Sequence, residues 1–102
     1  MYRYTTPTIP ITLDTVDFTE VDFFRVTIEK GDIDWTFVIQ PDDDAVDEET
    51  NTIYLALTQE QTAQLSAGFA KLQVRIKYNS GGVQATNIAK VSINDVLDEV
   101  II

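Results

Sequence analysis

Six carboxylates crowd one stretch of the chain: Asp42, Asp43, Asp44, Asp47, Glu48 and Glu49, between Pro41 and Thr50. Such side chains ligate hard cations such as calcium, which needs several oxygens converging on one point. Asp42, Asp44, Asp47 and Glu49 are the candidate ligands. Their spacing does not fit an EF-hand, because no glycine stands at the sharp-turn position. The plainer reading is a solvated acidic loop that discourages edge pairing. The chain has no histidine and no cysteine. That removes the usual general base near neutral pH, every Ser-His-Asp or Cys-His arrangement, thiolate and imidazole metal ligands, and disulfides. Ser66, Ser80 and Ser92 have no histidine to activate them. No carboxylate pair sits in an acid/base context, and Gly81-Gly82 reads as a turn, not a phosphate-binding loop. Neither an enzyme nor a cofactor is expected.

The cations follow a second pattern. Lys71, Arg75 and Lys77 fall on one parity of a single alternating segment, and Lys90 on the next segment is placed to join them. On a chain of 17 acidic and 7 basic residues, net charge -10, such a stripe suits docking to a neighbour's acidic surface. The bland alternative is the polar face of a half-exposed antiparallel sheet. The overall charge argues against nucleic acid and against anionic membrane as partners. Phe23 beside Arg25 has the character of an interface anchor, as do Tyr2 and Tyr4. Val100-Ile101-Ile102 is an apolar, β-branched end suited either to covering the core or to pairing with another subunit's edge. The interface candidates are therefore Phe23, Arg25, Lys71, Arg75, Lys77, Val100, Ile101 and Ile102.

The elements that must carry these residues are mostly strands. The length of 102 residues, 44% hydrophobic, fits one domain with a real core. Thr8 to Leu13 alternates through Ile9, Ile11 and Leu13, and Pro10 marks it as an edge strand. Val21 to Glu29 and Ile33 to Gln40 read as a hairpin about Lys30-Gly31-Asp32, with Gly31 free to take a positive φ. Trp35, Phe37 and Ile39 share a face expected to be the centre of the core. Phe18, Phe23, Phe24 and Phe69 fit either that core or a ligand groove. Thr52 to Leu57 is a further strand. Thr58 with Gln61 has capping-box spacing, opening a helix that Gly68 is expected to end. Phe69 to Tyr78 is the longest strand, with Ala70, Leu72, Val74, Ile76 and Tyr78 on one side. Asn79-Ser80-Gly81-Gly82 is a hairpin turn. Val83 to Ile93 returns, broken near Thr86-Asn87, with Val91 and Ile93 inward. The expectation is an all-β chain with one short helix, an antiparallel sandwich of immunoglobulin type. A small β-barrel is the alternative. Residues 1–7 and 94–102 are candidate extended arms.

The run Ile53-Tyr54-Leu55-Ala56-Leu57-Thr58, then Gln59 to Leu65, Gly68 and the strand to Tyr78, resembles a pattern of bacteriophage proteins. It is similar to the immunoglobulin-like domains of baseplate and tail proteins, and to small virion proteins of prophages, from Gram-positive hosts. The resemblance covers roughly residues 53–93 and carries over no catalytic residue. It implies a structural, protein-binding component of a phage or prophage particle (tail, baseplate, connector or head decoration) acting through subunit contacts, as a homo-oligomer or with other subunits. The expected place is the virion, or the host cytoplasm during assembly. Met1 to Pro7 has no apolar signal core, and no apolar run approaches the ~20 residues that span a bilayer. Two rivals belong to other classes. A carbohydrate or cell-surface binding module, assisted by calcium at the acidic loop, needs exposed aromatics beside carboxylates. An inhibitor mimicking nucleic acid needs a contiguous acidic face.

Overall fold

A computed structural model describes residues 1–102. The alternation of the longest apolar segment becomes β6 (Gly68–Tyr78), and β6 organises one sheet. Ala70, Leu72, Val74 and Ile76 are buried along one side of it. Antiparallel to it lies β2 (Val21–Lys30), in a register that sets Phe24 against Ile76, Val26 against Val74 and Ile28 against Leu72. A one-residue irregularity between Val21 and Phe23 re-aims the start of β2. The other neighbour of β2 is β3 (Ile33–Ile39). The far side of β6 is shared by β7 (Val83–Ala85) and β8 (Ala89–Ile93). The break between them falls at 86–88, where the sequence places it. Gln73 and Thr86 bridge the gap: the Gln73 amide donates to Thr86 O (2.8 Å), and Val74 N–H donates to the Thr86 hydroxyl (3.1 Å).

The second sheet is smaller. It runs β1 (Thr8–Thr12), β5 (Thr52–Ala56), β4 (Val46–Asp47), all antiparallel. As its proline predicts, β1 is an edge, with Pro10 opposite Tyr54. The acidic stretch is not wholly a loop, since Val46 and Asp47 pair with Ile53 and Thr52. Ile53, Leu55 and Leu57 bring this sheet onto the inner face of the first, and the fold is an antiparallel β-sandwich, not a closed barrel. Phe18 sits in a single 3-10 turn before β2, with its ring 4.9 Å from that of Phe24. Each large side chain fully buried here, such as Phe24, Ile28, Ile53, Leu65 or Ile76, contributes on the order of 1.5–3 kcal/mol relative to exposure.

Three expectations are corrected. The core is centred on β2, β5 and β6; Trp35 and Phe37 are only half-buried, because β3 is the edge of its sheet and the smaller sheet does not cover it fully. Phe69 is on the outer face and exposed, since its parity is opposite to that of Ala70. The helix α1 (Gln59–Gln64) opens on the expected capping box, with both reciprocal bonds between Thr58 and Gln61 formed. It ends at Leu65, which is extended, and not at Gly68. Gly68 instead starts β6 at φ +125°, a conformation that disfavours any side chain.

Candidate functional site

The outer face of the five-stranded sheet carries most of the molecule's positive charge. The register makes Phe23 face Lys77, Arg25 face Arg75, Thr27 face Gln73 and Glu29 face Lys71. On the other flank, Lys71 faces Lys90 and Phe69 faces Ser92. Arg25, Lys71, Arg75, Lys77 and Lys90 thus share one surface, leaving only Arg3 and Lys30 of the chain's 7 cations elsewhere. Of the five, Arg25, Lys71, Arg75 and Lys90 are exposed and Lys77 is half-buried. None forms an ion pair; the molecule's two ion pairs both belong to Arg3. Arg25 opposite Arg75 and Lys71 opposite Lys90 are like charges in directly facing positions, an arrangement that works against sheet stability. Exposed apolar side chains are interleaved with them: Val38, Phe69, Val83 and Ile88. The Lys90 ammonium lies 5.8 Å from the centre of the Phe69 ring, within cation–π range.

At one end of this face the cations surround a notch of about 250 Å3, lined by Phe23, Arg25, Arg75, Ile76, Lys77 and Val83. β2 supplies Phe23 and Arg25, β6 supplies Arg75 and Lys77, and the short β7 places Val83 opposite Lys77. The Asn79–Gly82 turn holds that last pairing, with Tyr78 N–H donating to Gly82 O (2.9 Å) and the Lys77 ammonium donating to Gly81 O (3.2 Å). The notch combines a half-buried aromatic ring, two guanidinium groups and an ammonium. Its chemistry suits a carboxylate attached to an apolar body, because Arg reads carboxylates through paired N–H donors while Phe23 and Val83 offer apolar contact. The structure therefore brings four of the sequence-derived interface residues, Phe23, Arg25, Arg75 and Lys77, into one site. Lys71 stands further along the same face. Val83 is the participant that sequence reading missed, since only the β6–β7 register shows which return-strand residue meets Lys77.

Val100, Ile101 and Ile102 lie elsewhere, at the opposite end of β6. The segment 94–102 leaves β8 where Ile93 pairs with Gly68, and it is held against the body at Asn94, at Asp95 and Glu99, and at Ile102. The Arg3 guanidinium donates to Asp95 Oδ1 (2.8 Å) and lies 3.5 Å from Glu99 Oε1. The Gln59 side chain and the Ile102 backbone exchange two hydrogen bonds, of 2.9 and 2.6 Å. Arg3 also donates to the carbonyl oxygens of Ala63 (2.9 Å) and Leu65. The Asp95 hydrogen bond leads in raising the Arg3 pKa, against partial desolvation. Residues 1–7 are tied in as well. Arg3 N–H donates to Asn94 O and Asn94 N–H to Met1 O, and Thr5 exchanges two bonds with the buried hydroxyl of Thr62. Tyr2 is exposed, and Tyr4 is half-buried under the Arg3 guanidinium.

The acidic stretch gathers no site. Asp42, Asp44, Asp47 and Glu49 do not converge, and no group of three or more metal-ligating side chains is present anywhere. Asp43 and Asp47 instead accept hydrogen bonds from the backbone N–H of Ala45 and Glu49, as turn-forming side chains do. A larger cleft of about 550 Å3 opens between the sheets beside Ile11, Leu13, Val16 and Ala89; Asp14 is its one ionisable lining residue. No helix is long and apolar enough to cross a membrane. No protein family, curated protein or solved structure matches the chain.

Proposed function

We propose that this chain is a non-catalytic structural component of a bacteriophage or prophage particle that works by subunit–subunit contacts. One observation carries the reading: five cations without an ion-pair partner, two of their pairings like-charged, interleaved with exposed apolar groups on a single sheet face of a protein whose net charge is -10. Within the monomer the like-charged pairings Arg25–Arg75 and Lys71–Lys90 are unfavourable, whereas an acidic partner satisfies them and gains orientation and specificity from doing so. The particle setting comes from the resemblance of residues 53–93 to phage baseplate and tail domains. Repetition around a ring turns a weak face into a strong one through effective concentration.

The test has two arms. Light scattering over a concentration series should give a discrete oligomer, and peptide mass spectrometry of density-purified particles from the producing strain should find the chain. A monomer at every concentration, together with its absence from purified particles, overturns the reading. A monomer whose melting temperature rises with a polysaccharide, and with calcium, moves the protein to the class of carbohydrate-binding modules.

A further inference from the structure

The cationic notch and the 94–102 segment are complementary in charge and share exposed apolar groups. The notch offers Arg25, Arg75 and Lys77 around Phe23 and Val83. The segment offers Asp95, Asp98 and Glu99, and most of its apolar side chains are exposed: Leu97 and Ile102 almost fully, Val100 more than half, with Val96 half-buried. Arg3 partners Asp95 and Glu99, so Asp98 is the carboxylate left without a hydrogen bond or ion pair. Pinned by Arg3 near its start and by Gln59 at Ile102, the segment is a strap whose middle is exposed to solvent. A preorganised strap loses little conformational entropy on binding.

Placement decides who binds whom. The strap begins beyond the Gly68–Ile93 pair, whereas the notch lies at Arg75–Lys77. Gly68 and Ile76 are eight residues apart on one continuous strand, which is roughly 26 Å at strand rise. While Gln59 holds Ile102, the strap is kept at its own end and away from the notch of its own chain. The acidic loop is a poorer occupant. It leaves β3 at the notch end of the sheet, since Ile39 faces Phe24. Two of its six carboxylates, Asp43 and Asp47, serve its own turns, and its apolar residues Ala45 and Val46 are half-buried and so offer little apolar contact beside the other four. Two copies exchanging straps about a two-fold axis would set the two outer faces together, each with five cations against the two carboxylates Glu29 and Asp34, and like-charge repulsion opposes that.

We infer that the strap 95–102 of one copy seats Leu97 and Asp98 in the notch formed by Phe23, Arg25, Arg75, Lys77 and Val83 of the next copy. The two surfaces lie at opposite ends of the sheet and charge opposes the two-fold exchange, so the contact is heterologous and propagates head to tail, closing into a ring or extending as a chain. Charge screening makes it weaken as salt rises. The inference rests on the proposed function insofar as both require subunit contacts, and it names the partner and the surfaces.

The experiment uses two charge-reversed proteins, Arg75→Glu/Lys77→Glu in the notch and Asp98→Lys in the strap. Arg75 and Asp98 are exposed, Lys77 is half-buried, and none of the three belongs to the buried core; circular dichroism is used to check that the variants fold. Light scattering is run on each alone and on their equimolar mixture. Each variant alone should lose association by tenfold or more in the concentration required, and the mixture should regain it, because each strap then meets a notch of opposite sign. Leu97→Ser should weaken association in the wild-type background at any salt. Association that persists in both variants alone, a mixture that stays monomeric, or a wild-type species that stops at two copies overturns the head-to-tail contact. The first and last of these leave self-association by another surface standing. A wild-type protein that is monomeric throughout removes the contact and, with the particle result, decides the proposed function separately.

Discussion

Arg3 and Arg75 have the same side chain and opposite circumstances. Arg3, at the end built from residues 1–7, α1 and the strap, donates to Asp95, Ala63 and Leu65, and lies beside Glu99 and over Tyr4. Arg75, on the outer sheet face, looks across at Arg25 and has no carboxylate partner. The first end is closed by hydrogen bonds between segments about 60 to 90 residues apart in sequence. The second surface is open and electrostatically unfinished. At the first end the polar side chains satisfy one another, whereas the cations of the second remain exposed or half-buried without an ion-pair partner.

Substitution should separate the two regions most sharply at these arginines. Arg3→Ala removes the donor for two carbonyls and the anchor of the strap, and should cost about 2–3 kcal/mol; Arg75→Ala should change stability by no more than about 0.5 kcal/mol. Thermal unfolding reads the difference directly, since 1 kcal/mol moves the midpoint by roughly 4–8 °C in a domain near 100 residues. Equal midpoints for the two variants would erase the distinction.

A smaller effect is expected at Thr62, whose fully buried hydroxyl accepts from Thr5 N–H and donates to Thr5 O. Thr62→Val keeps the volume but leaves both groups of Thr5 unpaired, and should destabilise by about 1–2 kcal/mol. Urea titration should show the midpoint falling. Proteolysis near residues 1–7 should become faster, and a resistance equal to wild type would mean that this end is closed by something else.

The smallest effect is a pH dependence at the other end. Asp17 caps the 3-10 turn before β2 by accepting from the Thr19 hydroxyl (2.7 Å) and the Thr19 N–H (3.0 Å), and these bonds hold its carboxyl below the ordinary value. A carboxyl depressed in the folded state adds stability that is complete above its unfolded pKa and is lost as pH falls through the folded one. The loss should therefore appear below about pH 4. Asp17→Asn, which can still accept but does not titrate, should flatten stability against pH in that window; superimposable acid-unfolding curves would rule Asp17 out.

Periodicity made the sandwich readable from residues alone. The alternation of Ala70, Leu72, Val74 and Ile76, the proline in β1, the capping box at Thr58 and the break after Ala85 are each encoded within ten residues, and each is present in the fold. So is the common face of Lys71, Arg75 and Lys77, which follows from a period of two on one strand. The half-exposure of Trp35 and Phe37 was not readable, because it depends on which strands are neighbours and where the smaller sheet stops. Nor was the early end of α1, where Leu65 turns extended and is buried completely in the core.

By itself the sequence determined the strands other than the short β4, the cap, the absence of thiol and imidazole side chains, and which residues could share a face, because these depend on side-chain type and local spacing. Only the tertiary structure decided that Arg25 stands against Arg75, that Val83 completes the notch with Lys77, and that Arg3 and Gln59 hold the strap at the far end of β6. Strand order and register bring together residues as much as 92 apart, as in Arg3 and Asp95. Such pairings are decided by packing of the whole core, and no local window of residues contains them.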